Sequence, residues 1–301
     1  MNTRMGPPLA ILSFVLWGLT PLFYRLIPEA SPPELLAQRL YWSLPFLLLV
    51  RPFFSQLTPW RAVLRDKRSL FLCLLAGLVM AVSWTSFTYA LTHGMVLSAS
   101  LGYFITPLVS ILLGTVLLKE SFSLFQKIAV FFGIVGLSWQ LLHYGQLPIL
   151  AIMMGCTFAI YGFIKKFIKY DIITALFFET LWLIPLAIGI TIYLSVTGTS
   201  TLAQSDNLTR FYYMLSAPVT IIPLLTFAAA IKRTSLIVIG LAQYVEPTIQ
   251  FMLAVFLFSE PVDSVKVVSF AFIWIGLGFC IYETLHRFNL YRHGRLKQKE
   301  Q

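Results

Sequence analysis

An internal duplication constrains this chain more than any single motif. Residues 101–137 read LGYFITPLVSILLGTVLLKESFSLFQKIAVFFGIVGL, and residues 241–277 repeat the pattern 140 positions later without a gap. Pro107 falls on Pro247, Glu120 on Glu260 and Gly136 on Gly276. Upstream, Trp42 and Pro45 fall on Trp182 and Pro185, and Phe87 and Ala90 on Phe227 and Ala230. Near the start of each half the offset is 144: Phe14, Gly18 and Phe23 match Phe158, Gly162 and Phe167, and Trp17 and Arg25 fall on Tyr161 and Lys169. An offset held over about 100 residues marks a repeated structural unit, to be read before any local motif.

The unit is apolar. Hydrophobic residues make up 58% of the chain and charged ones 11%, with mean hydropathy +0.82, where a soluble domain carries about 25% charged residues. A membrane helix needs about 20 mainly apolar residues. Ten stretches qualify: 8–27, 34–52, 69–91, 98–118, 124–142, 147–164, 172–195, 211–231, 236–257 and 265–285. They are long and do not alternate, which predicts helices and not barrel strands. The first stretch lacks a small-residue cleavage site, so it reads as a retained helix and not a leader. The expectation is an all-α polytopic membrane protein with two repeats, 8–142 and 147–285, and a basic tail, 286–301, that would lie on the membrane surface.

The net charge of +10 does not point to nucleic acid, because the basic residues lie in short runs between apolar spans. With the N-terminus in the cytoplasm, eighteen of the 22 basic residues fall in inner segments, among them Arg61, Arg65, Lys67 and Arg68, Lys165, Lys166 and Lys169, and Lys232 and Arg233. Arg25, Arg39, Arg210 and Lys266 remain on the outer side. This bias puts both termini inside. Five helices per repeat is an odd number, so the second repeat enters from the opposite face. That is a 5+5 inverted-topology repeat, an architecture of secondary transporters.

Ionisable groups in a bilayer are costly, and each needs a reason. Arg39 lies about five residues, or about 8 Å, into the second helix, and Glu179 stands at the equivalent place in the seventh. Glu246 lies about ten residues into the ninth helix, about 15 Å deep and close to the midplane. Together they could form a polar path, with a carboxylate binding a substrate ammonium or trading protons. The structural alternatives are snorkelling or a Glu34 partner for Arg39, and a protonated, hydrogen-bonded carboxyl for Glu246. Pro107 and Pro247, after Thr106 and Glu246, each remove a backbone donor inside a helix. They would be hinges beside a water-filled site or static kinks. Tyr103, Gln243 and Tyr244 precede them by about one turn. With Trp17, Trp42, Trp84 and Trp182 these could build a lining for a small aromatic or amphipathic substrate, or simply pack and anchor. Glu120 and Glu260 are expected to accept from the first N–H groups of the following helix, with Ser123 and Asp263 capping there too.

Nothing in the sequence forms a catalytic, metal or cofactor motif. The three cysteines lie in apolar spans without CxxC spacing, and no histidine has HExxH spacing. The partners expected are a small molecule and lipid, and a monomer suffices. A passive channel of the same fold and a non-transporting scaffold are the alternatives, although no carbonyl-rich filter or charged ring is visible.

The chain resembles the drug/metabolite transporter superfamily with two EamA-type repeats, and within it the RarD group. The resemblance is carried by Trp17-Gly18 and Pro21, Gln38-Arg39, the run SASLGYFITPL at 98–108, ETLWLIP at 179–185, Gln243-Tyr244 and FAFIW at 270–274. It covers nearly the whole chain and departs from the pattern at Thr106 and Glu246. It implies a ten-helix inner-membrane permease for small metabolites or drugs.

Overall fold

Every described residue that adopts regular structure is helical. The computed structural model describes residues 5–54, 57–93, 95–145, 149–259 and 263–297. Arg4, residue 147 at the expected start of the second repeat, Glu260 and Lys299 lie outside the described residues.

The helices are α1 (Gly6–Gly18), α2 (Thr20–Tyr24), α3 (Pro32–Val50), α4 (Trp60–Arg65), α5 (Lys67–Thr92), α6 (Val96–Val116), α7 (Leu124–Tyr144), α8 (Ile149–Lys165), α9 (Ile172–Val196), α10 (Asn207–Ile231), α11 (Leu236–Gln243), α12 (Val245–Met252) and α13 (Ser264–Lys297). A π-helical turn, Leu253–Leu257, follows α12. Seven spans, Gly6–Tyr24 and Leu236–Leu257 among them, are long and apolar enough to cross a membrane; Leu101–Val116 and Ile149–Lys165 are shorter apolar helices. Each of the ten apolar stretches read from the sequence overlaps a helix or a broken pair of helices.

Local chemistry fixes many of the boundaries. Ser123 and Gln126 form a reciprocal capping box at the start of α7, and Gly145 closes it at φ 68°. Asp171, Asp206 and Ser235 cap α9, α10 and α11 with side-chain oxygens. The outward faces are apolar, with Leu49, Phe131, Ile192 and Phe256 well exposed. A soluble monomer rarely exposes so much apolar surface, whereas lipid accepts it. Inside, hydroxyls are satisfied along their own helices: Ser13 donates to the Ala10 carbonyl at 2.8 Å and Thr220 to Ser216 at 2.9 Å. Small residues let backbones approach. A Cβ on Gly240 would sit 2.7 Å from the Pro107 carbonyl, so α11 meets α6 backbone to backbone.

The packed pairs are α7 with α13, α6 with α8, α5 with α8, α3 with α9, α1 with α10, α6 with α11, α3 with α10, α5 with α9, and α1 with both α11 and α12. Contacts between connections collect at two ends. At one end, Glu120 pairs with Lys166 at 3.1 Å and accepts from Leu236 and Ile237 N–H at 2.9 and 3.1 Å. There too Asp171 accepts from Thr58 N–H at 2.8 Å, and Tyr170 donates to the Val63 and Asp66 carbonyls at 2.9 and 2.7 Å. We call this the basic end, because the segments at 51–68, 165–169 and 232–233 meet there. At the far end, Glu34 accepts from Ser200, Thr201 and Leu202, Tyr144 donates to Asp263, and Arg25 stacks over Phe258 at 4.4 Å.

Two expectations change here. Glu120 caps α11, in the other repeat, and not the following helix α7, whose cap is Ser123. The stretch between the expected spans 34–52 and 69–91 is not all connection: it holds the short helix α4, with Trp60 edge-on to Phe177 and Phe178 at 5.6 and 5.9 Å and Arg51 over its ring at 4.1 Å.

Candidate functional site

A cavity of about 630 Å³ lies between the two halves. Its walls come from α1, α2, α3, α5, α6, α8, α10, α11, α12 and α13. It reaches Pro28, Ala30, Asp263 and Lys266 in the connections of the far end, and Phe14, Trp17 and Phe158 at its depth. No described residue from the connections of the basic end lines it.

The end of α11 and α12 supply the polar core of the site. Gln243, from α11, and Glu246, Pro247 and Gln250, from one side of α12, all line the cavity. Glu246 is half-buried. Gln250 donates to its Oε1 at 3.3 Å, and Tyr103 also hydrogen-bonds to it. The ninth span breaks at Tyr244, between α11 and α12. Pro247 has no N–H to give the Gln243 carbonyl one turn earlier, and the break falls there.

Arg39 reaches the cavity from α3. Its Nη2 donates to the Tyr24 hydroxyl at 2.7 Å, and its guanidinium lies 5.7 Å from the Trp84 ring centroid. Its buried Nε has no partner among the described residues. Glu34 does not pair with it, because that carboxylate is taken up by residues 200–202. The aromatic wall is Trp17, edge-on to Phe158 and Phe227 at 5.8 and 5.5 Å, with Trp84, and Tyr103, edge-on to Phe87 at 6.3 Å. Thr106 turns its hydroxyl back to the Gly102 carbonyl at 2.8 Å and leaves its methyl for the lining.

The structure therefore brings together Trp17, Arg39, Trp84, Tyr103, Thr106, Gln243, Glu246 and Pro247. It places five other expected residues elsewhere. Pro107 is buried inside the uninterrupted α6, against Gly240. Tyr244, one residue from Gln243, is rotated by about 100° and packs with Phe104, Phe270 and Ile273. Trp182 is 41% exposed on the outside of α9, as is Trp42 on α3. Glu179 is buried outside the cavity in an ion pair with Lys165. The Lys165 ammonium donates to both its oxygens at 2.8 and 3.0 Å, and Tyr161 donates at 3.0 Å. A cleft of only about 20 Å³ adjoins this pair, sharing Trp84 with the large cavity.

The basic end closes over that pair. A Cβ on Gly77 would meet the Glu179 carbonyl at 2.9 Å, so α5 and α9 touch there. Just past α10, Lys232 donates to the Tyr170 carbonyl. Burial and then the charge of Lys165 push its pKa down to about 8. Asp171, beside it, is half-buried, which raises its pKa, but hydrogen bonds from Thr174 and Thr58 outweigh that and hold its carboxyl below the usual range. Sequence reasoning missed Lys165 and Gln250. Lys165 reads as a topology signal, and Gln250 stands one turn after Glu246 on the same face, a spacing that could have found it.

The EamA-like transporter family matches residues 4–141. The chain is 35% identical to Protein RarD of Salmonella typhi over 95% of this chain and 97% of that one. It is 34% identical to the uncharacterized transporter YojE of Bacillus subtilis, over 92% and 93%. A solved crystal structure superposes with a TM-score of 0.66 at 13% identity, covering 92% of this chain and 97% of that one, a likeness of fold alone.

Proposed function

Since the chain belongs to the EamA-like transporter family, alongside the RarD proteins, we propose that it is a secondary transporter of small organic solutes that works by alternating access. The observation that carries this reading is the cavity of about 630 Å³, aromatic and apolar with a few convergent polar groups, reached from one end only. A passive channel would need a path through both ends. The Lys165–Glu179 region leaves a cleft of about 20 Å³ where that path would run.

Ten crossings and a 5+5 inverted repeat fit the packing. Exchanging each helix for its counterpart in the other repeat turns α5–α8 into α10–α1, α6–α8 into α11–α1, and α3–α10 into α9–α5. It leaves α3–α9, α6–α11 and α7–α13 as they are. The connections also alternate between ends, as successive crossings require. The site falls between the repeats, the usual place in such transporters. The charge bias puts the basic end and both termini in the cytoplasm of a bacterial inner membrane. Thiols introduced singly at Arg61 and at Thr199 test this. Only Thr199→Cys should react with an impermeant reagent outside intact cells, and labelling of Arg61→Cys there would sink the inverted repeat.

Within the cavity, Arg39, Gln243, Glu246 and Gln250 orient the solute, and Trp17, Trp84 and Tyr103 take its planar or apolar part. Pro247 is the hinge, at an existing break; Pro107 sits inside the unbroken α6 and is not one. The test begins with planar and amphipathic amines and acids screened for thermal stabilisation of the purified protein. A binder at a hundredfold excess over its Kd stabilises by about 2.7 kcal/mol. The hit, radiolabelled, is then followed in proteoliposome counterflow. Transient accumulation against a preloaded unlabelled pool is expected, and Tyr103→Ala should weaken it roughly tenfold, about 1.4 kcal/mol. Equilibration without accumulation would make the protein a passive pathway.

A further inference from the structure

The inverted repeat relates two sets of residues that stand in different states. Trp17, Pro21 and Arg39 line the open cavity. Their counterparts are Tyr161, Lys165 and Glu179, at offsets of 144, 144 and 140. Those three are joined: the side chains of Lys165 and Glu179 are 2% and 6% exposed, and Tyr161 completes the carboxylate. The two sets are linked by rings in contact, Trp17 edge-on to Phe158 at 5.8 Å, Phe158 to Tyr161 at 6.0 Å, and Tyr161 stacked on Phe227 at 6.1 Å. One repeat's site is thus open while its counterpart is shut, by residues in register.

The two closures are unequal. An ionic pair shuts the basic end. At the far end the counterpart of Lys165 is Pro21, which cannot pair with Arg39; Arg39 has only the Tyr24 hydroxyl and aromatic faces. We propose that Lys165, held on both oxygens of Glu179, is the latch of the basic end, a positioning residue that biases the transporter toward the far-open state and must part for the solute to leave the other way. The inference rests on the alternating-access reading above. It adds the residues that set the balance between the two states, and a ligand-free equilibrium shifts when one state loses such a contact.

Cys73 is a native reporter. It is 0% exposed and belongs to the same buried cluster as Tyr161, Ile173 and Leu176. In full-length protein carrying Cys156→Ala and Cys280→Ala, in nanodiscs that expose both faces, a charged maleimide should label Cys73 very slowly. Lys165→Met with Glu179→Gln removes the latch and leaves no isolated charge. Labelling of Cys73 should then rise at least tenfold. With Cys73→Ala, labelling of a thiol at Thr20, on the cavity wall, should fall in the same pair of changes. Tyr161→Phe, which deletes one hydrogen bond, should lie between, and the exchanged pair Lys165→Glu with Glu179→Lys should return to slow labelling. If Cys73 stays as slow in the latchless protein, with its unfolding midpoint unchanged, the pair is structural and the proposal falls. The same holds if Cys73 and the Thr20 thiol both speed up, which marks general loosening. Counterflow separates this from the functional reading. Normal exchange with unmoved labelling overturns the latch alone, and moved labelling without any exchange in the wild type overturns the transporter reading and keeps the latch.

Discussion

Glu246→Gln should abolish the response of solute exchange to an imposed pH gradient, cutting gradient-driven accumulation at least tenfold, while solute binding falls by less than threefold. The residue stands beside the α11–α12 break at the cavity, between Gln243 and Pro247. Among the described residues its carboxylate forms no ion pair; its partners are Gln250 and Tyr103, both neutral. Glutamine keeps the size and an acceptor oxygen for Tyr103 but cannot take up or release a proton. A tenfold loss corresponds to about 1.4 kcal/mol of the driving gradient. The measurement is counterflow and gradient-driven uptake in the same proteoliposomes, with and without a pH step. Gradient dependence retained in Glu246→Gln would leave the residue a hydrogen-bonding group of the wall. Binding lost outright would make it the ammonium contact of the solute, with coupling elsewhere.

The helices were legible in the sequence because hydropathy and length decide them in a bilayer. The polar residues were harder, for a geometric reason. Depth along a helix can be counted, but the side a residue faces depends on what packs there. Gln243 and Tyr244 illustrate this: both are about one turn before Pro247, and one faces the cavity while its neighbour faces Phe104 and Phe270. Counting i, i+3, i+4 and i+7 from Gln243 selects Glu246, Pro247 and Gln250 and leaves Tyr244 out. On α9 the same rotation turns Leu181 and Trp182 outward and buries Glu179, Thr180 and Leu183. Pairings across elements leave no local trace. Glu179 finds Lys165 fourteen residues earlier, Glu34 finds Thr201, and Glu120 finds the start of α11. In each case a carboxylate expected to act alone, or on its next neighbour, closes a junction between helices.

Those junctions differ in what their loss should do, and Lys165→Ala is expected to be the most damaging single truncation among them. It leaves the Glu179 carboxylate buried with only the Tyr161 hydroxyl. Removing one partner of a buried pair costs about 3–5 kcal/mol, because the other charge stays out of water. The midpoint of thermal unfolding in detergent should fall by roughly 10 °C, taking about 2–4 °C per kcal/mol for a chain of this order of size. Lys165→Met with Glu179→Gln should recover most of that, since neutral side chains of similar volume leave no stranded charge. Lys166→Ala makes the contrast. Its partner Glu120 keeps the two N–H groups of α11, and the Lys166 and Glu120 side chains are 19% and 14% exposed. Its loss should cost less than about 1 kcal/mol, in the range of exposed pairs. Fluorescence-detected unfolding of the four proteins side by side tests the ranking. Equal midpoints for Lys165→Ala and Lys166→Ala would mean that the closed end is held by helix packing at Gly77 and not by the ion pair.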